Sequence, residues 1–332
     1  MPTRSIWSWQ SNSDPWNDTQ TKEWKQYSDL QNELIEEAYQ KKESTVVIGN
    51  YVVDFQRMIQ FRKTDEHRQR KVKREIININ QDLREQRFGY GVKSIKGKSF
   101  CSDERYGSEF IYEWIQRNKH VFENDLPNYS AIVELAAKGI IEEGKLLNEE
   151  SDAQLMADQL QTMKNKDSKE IGNCCIRLYS MESFLYKSIN TAMRNDDISK
   201  VDTLGGYCYL LTMKLDSTDE REDLIVYRGC TLSNEMIEDY KKAVGTIINW
   251  LSFTSTSKSR EQAEKFGNTL FIIHLVDNWI HSYQNDISSL SCYPHEEEIL
   301  LNATFTLKVD KVEWDINTNK YFIYLTHDQT YL

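Results

Sequence analysis

No stretch of eighteen consecutive apolar residues occurs in this 332-residue chain, which excludes a membrane-spanning helix of ordinary length. The opening Met1-Pro-Thr-Arg-Ser-Ile-Trp7 has no apolar signal core, and the closing Thr326-His-Asp-Gln-Thr-Tyr-Leu332 has no hydrophobic tail of the kind a lipid anchor needs. Both point to an intracellular protein, cytoplasmic or nuclear, with no membrane partner. Positive charge is in deficit: 41 Lys and Arg against 52 Asp and Glu leave a net charge of −11. That balance argues against direct nucleic-acid binding. Cysteine is sparse, with six residues at 101, 174, 175, 208, 230 and 292, and without a secretion signal they read as reduced thiols. No Cys/His set has zinc-ligand spacing, so no metal is expected. Neither a G-x-G-x-x-G nor a P-loop pattern occurs, and Gly205-Gly206 is too short to cradle a phosphate.

The length allows two or three domains, and composition shifts along the chain divide it. Residues 1–78 hold four tryptophans, 7, 9, 16 and 24, half of the total. Leu30, Leu34, Ile35, Ala38 and Tyr39 lie at helical spacing, and Thr45–Ile48 and Tyr51–Phe55 read as strands about a Gly49-Asn50 turn. Basic residues then accumulate from Arg57 to Arg74, and the alternation in Lys71-Val-Lys-Arg-Glu-Ile76 predicts a last strand showing its charges to one side. Residues 79–105 carry glycines and charges without a period and read as a linker. From 106 to about 215 apolar stripes such as Phe110/Ile111/Trp114/Ile115 and Phe184/Leu185/Ile189/Ala192 predict helices. Beyond 224 strands are expected at 224–228, 246–254, 269–276, 297–309 and 320–326, so the class is α+β: a small N-terminal module, a helical segment and a split sheet.

Three motifs in the last third stand in order. Leu224-Ile-Val-Tyr-Arg-Gly-Cys230 is an apolar strand ending on Arg228-Gly229, and a strand-end guanidinium suits a phosphate or carboxylate. Gly245–Ser257 runs into the hydroxyl cluster Ser255-Thr256-Ser257, after which Ser259 and Gln262 form a capping-box pattern for a helix over 260–266. Tyr293-Pro-His-Glu-Glu-Glu-Ile-Leu-Leu301 places glutamates at 296 and 298. On a strand these two share a face, opposite Glu297. Alone, an E-x-E is most often a solvated acidic turn. Together, with separations of 27 positions from 228 to 255 and 43 from 255 to 298, the three resemble the arginine-specific ADP-ribosyltransferase family of the R-S-E class.

The resemblance implies an NAD-dependent transferase acting on protein substrates with an accessible arginine. In it Glu298 would stabilise the oxocarbenium-like transition state at the ribose, as carboxylates do in glycoside cleavage. Ser255 would hold Glu298 and the ribose, and Arg228 would pair the pyrophosphate beside the Gly229 backbone. Glu296 would take the proton from the acceptor guanidinium, which is otherwise always charged and poorly nucleophilic. Phe266 is a candidate to stack on the nicotinamide. His274, mid-strand in Phe271-Ile-Ile-His-Leu-Val276, invites comparison with the H-Y-E class but reads as a core histidine.

Trp7-Ser-Trp9-Gln10, Trp24-Lys-Gln-Tyr27, Ile35-Glu-Glu-Ala-Tyr39 and Tyr51–Gln60 resemble a WWE domain. The resemblance implies a site for the iso-ADP-ribose unit of poly(ADP-ribose) or of ADP-ribosylated proteins. Tyr27 and Tyr51 would contact adenine and ribose, Gln60 would make a polar contact, and Arg68 and Arg70 would clamp phosphates. The chain as a whole thus reads as residues 1–78, reader; 79–105, linker; 106–332, transferase. The other reading is a poly(ADP-ribose) reader with an inactive or NAD-hydrolysing C-terminal domain.

Overall fold

A computed structural model of the chain describes residues 3–16, 19–78, 100–101, 108–215, 223–276 and 285–327. Most of the expected linker, 79–105, lies outside the described residues. Its last two described residues, Phe100 and Cys101, belong to the C-terminal unit: the Cys101 backbone bonds Asn249 in both directions, at 3.0 and 2.8 Å, and Phe100 packs against the core there.

The N-terminal module is a six-stranded sheet crossed by one helix. Its elements are β1 (Thr3–Gln10), β2 (Trp24–Gln26), α1 (Asp29–Gln40), β3 (Thr45–Ile48), β4 (Tyr51–Asp54), β5 (Ile59–Arg62) and β6 (Asp65–Asn78), in sheet order β2-β1-β6-β5-β4-β3. Ser28 caps α1 by accepting from the Gln31 N–H. Trp7, Ile35, Ile48, Val53 and Val72 form the core, and each buried large side chain contributes about 1.5–3 kcal/mol. Only Trp7 among the four tryptophans is fully buried; Trp16 is 53% exposed.

The charges of β6 do not lie on one side as expected. The strand is fourteen residues long and alternates across the sheet, so Arg70, Val72 and Arg74 face α1 while Lys71 and Lys73 face away, over Trp16 and Trp24 at 5.4 and 4.8 Å. On the inner side Arg74 grips Glu36 with two bonds of 2.9 and 2.7 Å, and the Trp7 indole N–H donates to the same carboxylate at 2.8 Å.

The middle of the chain is helical: α2 (Glu109–Arg117), α3 (Tyr129–Leu146), α4 (Glu150–Gln161), α5 (Ser168–Ser180), α6 (Phe184–Arg194) and α7 (Val201–Leu215). They share one core with Leu30 of α1 and with Phe253, Ile287 and Leu300 of the C-terminal unit. Gly205 serves packing, since a Cβ there would lie 2.5 Å from the Trp114 ring.

The C-terminal unit comprises β9 (Leu224–Cys230), α8 (Asn234–Lys242), β10 (Ile247–Trp250), β11 (Thr254–Ser257), α9 (Arg260–Glu264), β12 (Thr269–Leu275), β13 (Glu298–Leu301), β14 (Phe305–Asp315) and β15 (Lys320–His327). A short ribbon, β7 (Phe122–Glu123) with β8 (Leu126–Pro127), stands apart from it. The seven-stranded sheet has the order β10-β14-β15-β12-β9-β11-β13, with β12 and β15 parallel and the other pairs antiparallel.

The expected single strands 246–254 and 297–309 are each two strands. Their halves lie toward opposite ends of the sheet, joined by Leu251–Phe253 and by Asn302–Thr304. Five strand spacings of a flat sheet span about 24 Å, whereas three connecting residues reach at most about 14 Å. The sheet therefore folds over on itself. Trp250 and Phe305 from one end accordingly share a core with Ile299 and Leu301 from the other. The expected core histidine, His274, is exposed instead, because the alternation of β12 turns it away from that core.

Burial alone would raise the Glu36 carboxyl, but the hydrogen bonds from Arg74, Gln40 and Trp7 and the Arg74 charge outweigh it and hold the group down at about 2. A folded-state value below the unfolded one, about 4.3, stabilises the module above that pH, and the contribution is lost as pH falls toward 2. We expect the thermal midpoint of the module, followed by tryptophan fluorescence, to drop between pH 5 and 2. That slope should flatten in Glu36→Gln.

Candidate active site and N-terminal cavity

The fold-over of the sheet brings three motif-bearing strands side by side, with β11 between β9 and β13. Arg228, half-buried near the end of β9, donates from Nη1 to the Ser255 carbonyl at 2.7 Å. Ser255 and Ser257 are 4% and 1% exposed, and Ser257 stands directly opposite Glu298 across the β11–β13 ladder. Directly opposed residues put their side chains on the same face. The Ser257 hydroxyl donates to the Glu296 carbonyl at 2.7 Å and accepts from the Ser259 N–H at 3.0 Å. The Thr256 hydroxyl reaches the Ile299 carbonyl at 2.8 Å.

Glu296 is not on a strand, which corrects the expectation from alternation. Pro294–Glu296 forms one 3-10 turn, Glu297 closes it in the left-handed region at φ 48°, and β13 begins only at Glu298. The separation of the three carboxylates survives by another route. The left-handed residue throws Glu297 into solvent, while Glu296 and Glu298 are 4% and 0% exposed.

Gly229 is required by packing. A Cβ there would lie 1.8 Å from the Ala263 carbonyl, so the close approach is that of α9 to β9. The α9 helix is shorter than expected, ending at Glu264. Ser259 caps it as its sequence pattern implies, accepting from the Gln262 N–H. The return half of the box is diverted, because the Gln262 side chain accepts from Lys265. At the other end Lys320 donates to the carbonyls of Glu264, Phe266 and Gly267. Phe266 is buried just beyond. Burial pushes the Cys230 thiol up to about 11 against the pull of the Arg228 charge, so it stays protonated and is no nucleophile.

A cleft of about 20 Å³ opens between Arg228 and Ser255 on the sheet, Phe253 just before β11, and Asn190 and Arg194 on α6. That is room for about one water. Neither glutamate nor Phe266 lines it. Asn190 and Arg194 were missed in the sequence because they stand on the polar side of a helix noted only for its apolar stripe. A polar residue and an arginine one turn apart, at i and i+4, were the available signal.

The second concavity is a broad cleft of about 1630 Å³ over the N-terminal sheet. Tyr27, Tyr51, Gln60, Arg68 and Arg70 all line it, together with Arg62, which sequence reading had not singled out. The Tyr27 hydroxyl donates to the Gln60 amide oxygen at 2.9 Å, and burial pushes its acidity well out of the physiological range, so it stays a neutral donor. Arg62 lies over the Tyr51 ring at 5.9 Å. Arg70 is partly committed elsewhere: it donates to the carbonyls of Gln10 and Asn12 at 2.9 and 2.6 Å and rests over Trp9. The opposite wall of the cleft belongs to the helical unit, including Asp152, Glu182 and Lys187. Lys187 also borders the small cleft beside Arg228. Among the described residues no group of three His, Cys, Asp or Glu could hold a metal ion, and no helix is long and apolar enough to cross a membrane.

Residues 5–74 match the WWE domain family, and residues 158–330, just over half of the chain, match the ADP-ribosyltransferase exoenzyme family. No curated protein matches the chain. Among solved structures it is similar to the type III effector XopAI from Xanthomonas axonopodis pv. citri, at 13% identity and TM-score 0.47 over 66% of this chain and 96% of that one. It is also similar to Plx2a, an ADP-ribosyltransferase toxin from Paenibacillus larvae, at 17% identity and TM-score 0.42 over 57% and 95%. A third is C3stau2 from S. aureus with NAD, at 16% identity and TM-score 0.40 over 51% and 91%. The chain belongs to the ADP-ribosyltransferase exoenzyme family and carries a WWE domain at its N-terminus.

Proposed function

We propose that this NAD-using ADP-ribosyltransferase modifies arginine side chains of proteins, and that its WWE cleft holds a partner already carrying ADP-ribose. The observation that carries the arginine reading is the acidic turn. Glu296 and Glu298 are both buried beside β11, with Glu297 between them turned to solvent. Two acidic groups carried by one turn beside the middle strand can take separate tasks.

The residues fit the dinucleotide chemically. Arg228 offers a forked donor for a pyrophosphate once it turns away from the Ser255 carbonyl that it bonds here. Glu298, fixed on β13, supplies negative charge where positive charge develops at the ribose as the glycosidic bond to nicotinamide breaks. Ser255, on the strand between them, holds Glu298 and the ribose. Glu296 receives the proton that the acceptor guanidinium must lose as its nitrogen forms the new bond. Arg194 and Asn190 of α6 add polar contacts on the far side. Phe266 lies outside the lining of the cleft, and we assign it to support of the α9 end.

The WWE cleft suits a ligand with a flat ring and phosphates: Tyr27 and Tyr51 supply ring contacts, Gln60 a hydrogen-bonding edge, and Arg62 and Arg68 exposed guanidiniums. Arg70 is there first a structural residue.

With labelled NAD and a small guanidine acceptor, nicotinamide release and transfer are measured separately. Glu296→Gln should lower transfer by about 10²–10⁴-fold, the usual contribution of a general base, and leave release to water within about threefold. Glu298→Ala should lower both by about 10³-fold. Equal loss of both activities in Glu296→Gln would refute the division of tasks. A wild-type chain that releases nicotinamide but never modifies the guanidine would refute the arginine reading.

Poly(ADP-ribose) capture tests the second part. Arg68→Ala should weaken capture with the thermal midpoint unchanged. Arg70→Ala should also lower the midpoint, since the Gln10 and Asn12 carbonyls lose their donor. Undiminished capture in both variants would remove the cleft from consideration.

A further inference from the structure

The acidic turn is held from two sides, and one of them is the WWE domain. Tyr293, 4% exposed, immediately precedes the turn, and its carbonyl accepts from the Glu296 N–H at 3.1 Å. Its hydroxyl donates to both oxygens of Asp29, at 2.8 and 2.9 Å. Asp29 is the first residue of α1 in the WWE domain, 264 positions away. The same carboxylate accepts from Arg4 of β1 at 2.6 Å and from the Glu182 N–H at 2.6 Å. The Arg4 guanidinium lies over the Tyr293 ring, 4.3 Å from its centroid. Burial opposes the Arg4 charge, but Tyr293 and Asp29 outweigh it and keep the guanidinium firmly protonated. The side chains of Arg4 and Asp29 are 16% and 11% exposed, so these are shielded, charge-assisted bonds and not a surface pair.

We propose that Asp29 and Arg4 are positioning residues for the transfer step: the WWE domain fixes the turn that carries Glu296, and the transferase is incomplete without it. This rests on the assignment of Glu296 to the acceptor. On the far side the Ser257 hydroxyl takes the Glu296 carbonyl, and the Lys258 N–H takes that of Glu297. Glu298 is fixed independently within the β11–β13 ladder. Loss of the Asp29 bond therefore loosens Glu296 and spares Glu298. Misplacing a catalytic group by about 1 Å costs on the order of 10²-fold. Asp29 and Tyr293 also line the WWE cleft, so a ligand there touches the bonded pair directly.

The experiment uses the full chain, with guanidine transfer and nicotinamide release measured side by side and amide exchange followed over residues 293–298. Asp29→Ala should lower the ratio of transfer to release by about ten- to a hundredfold and speed exchange at Glu296 and Glu297. Asp29→Asn, which keeps an acceptor for the Tyr293 hydroxyl, should recover most of the ratio. Ile35→Val thins the WWE core without touching Tyr293, and should lower the thermal midpoint with the ratio unchanged. An Asp29→Ala chain with wild-type ratio and wild-type exchange overturns the proposal, as does an Ile35→Val chain that loses the ratio equally. If the wild-type chain does not modify guanidine, the acceptor assignment fails, and exchange in Asp29→Ala still decides whether the WWE domain holds the turn.

Discussion

The Ser257 hydroxyl is the constraint on which the site depends. It donates to the Glu296 carbonyl and accepts from the Ser259 N–H, so one side chain joins the end of β11, the start of α9 and the acidic turn. The Ser257 position also stands between Tyr227 on one side and Glu298 on the other. The arginine strand and the glutamate strand are thus referred to a common middle strand, at about 4.8 Å to either side. An unsatisfied hydroxyl buried to 1% would cost about 1–3 kcal/mol, which keeps this three-way junction closed.

The fold-over of the sheet is what allows so short a strand to sit there. β10 and β11 are neighbours in the chain and lie near opposite ends of the strand order, as do β13 and β14. Sequence periodicity saw each pair as one long strand, because three intervening residues carry too little pattern to mark a crossing. Where local chemistry decides conformation, reading the residues worked. Ser259 caps its helix, Gly49 turns its hairpin at φ 57°, and Thr45–Ile48 is the strand its β-branched run implies. Where long-range pairing decides, it failed. Glu296 left the strand, His274 faced outward, and β1 was invisible because its partner β6 lies some seventy residues away. The three motifs were legible as an ordered set of residue types, and β9, β11 and β13 bring them side by side. The α6 residues beside Arg228 were not, since helix faces carry no label saying which strand they meet.

In the WWE domain the basic residues have unequal work. Arg74 and Arg70 face inward and serve the framework, one on Glu36 and the other on the carbonyls of Gln10 and Asn12. Arg62 and Arg68 line the cleft and are exposed. A basic tally along the sequence cannot separate these roles; the alternation of a strand read against its neighbours does.

The Asp29–Tyr293 bond also bears on the order in which the molecule is made. Ribosomal synthesis releases the N-terminal module long before residue 293 exists, and such modules fold as units once complete. Its acidic helix start then waits through the emergence of eight helices and most of the sheet. The acidic turn is among the last pieces to dock, and it docks onto a surface already formed. A chain interrupted in translation would hold a finished WWE domain and no finished transferase.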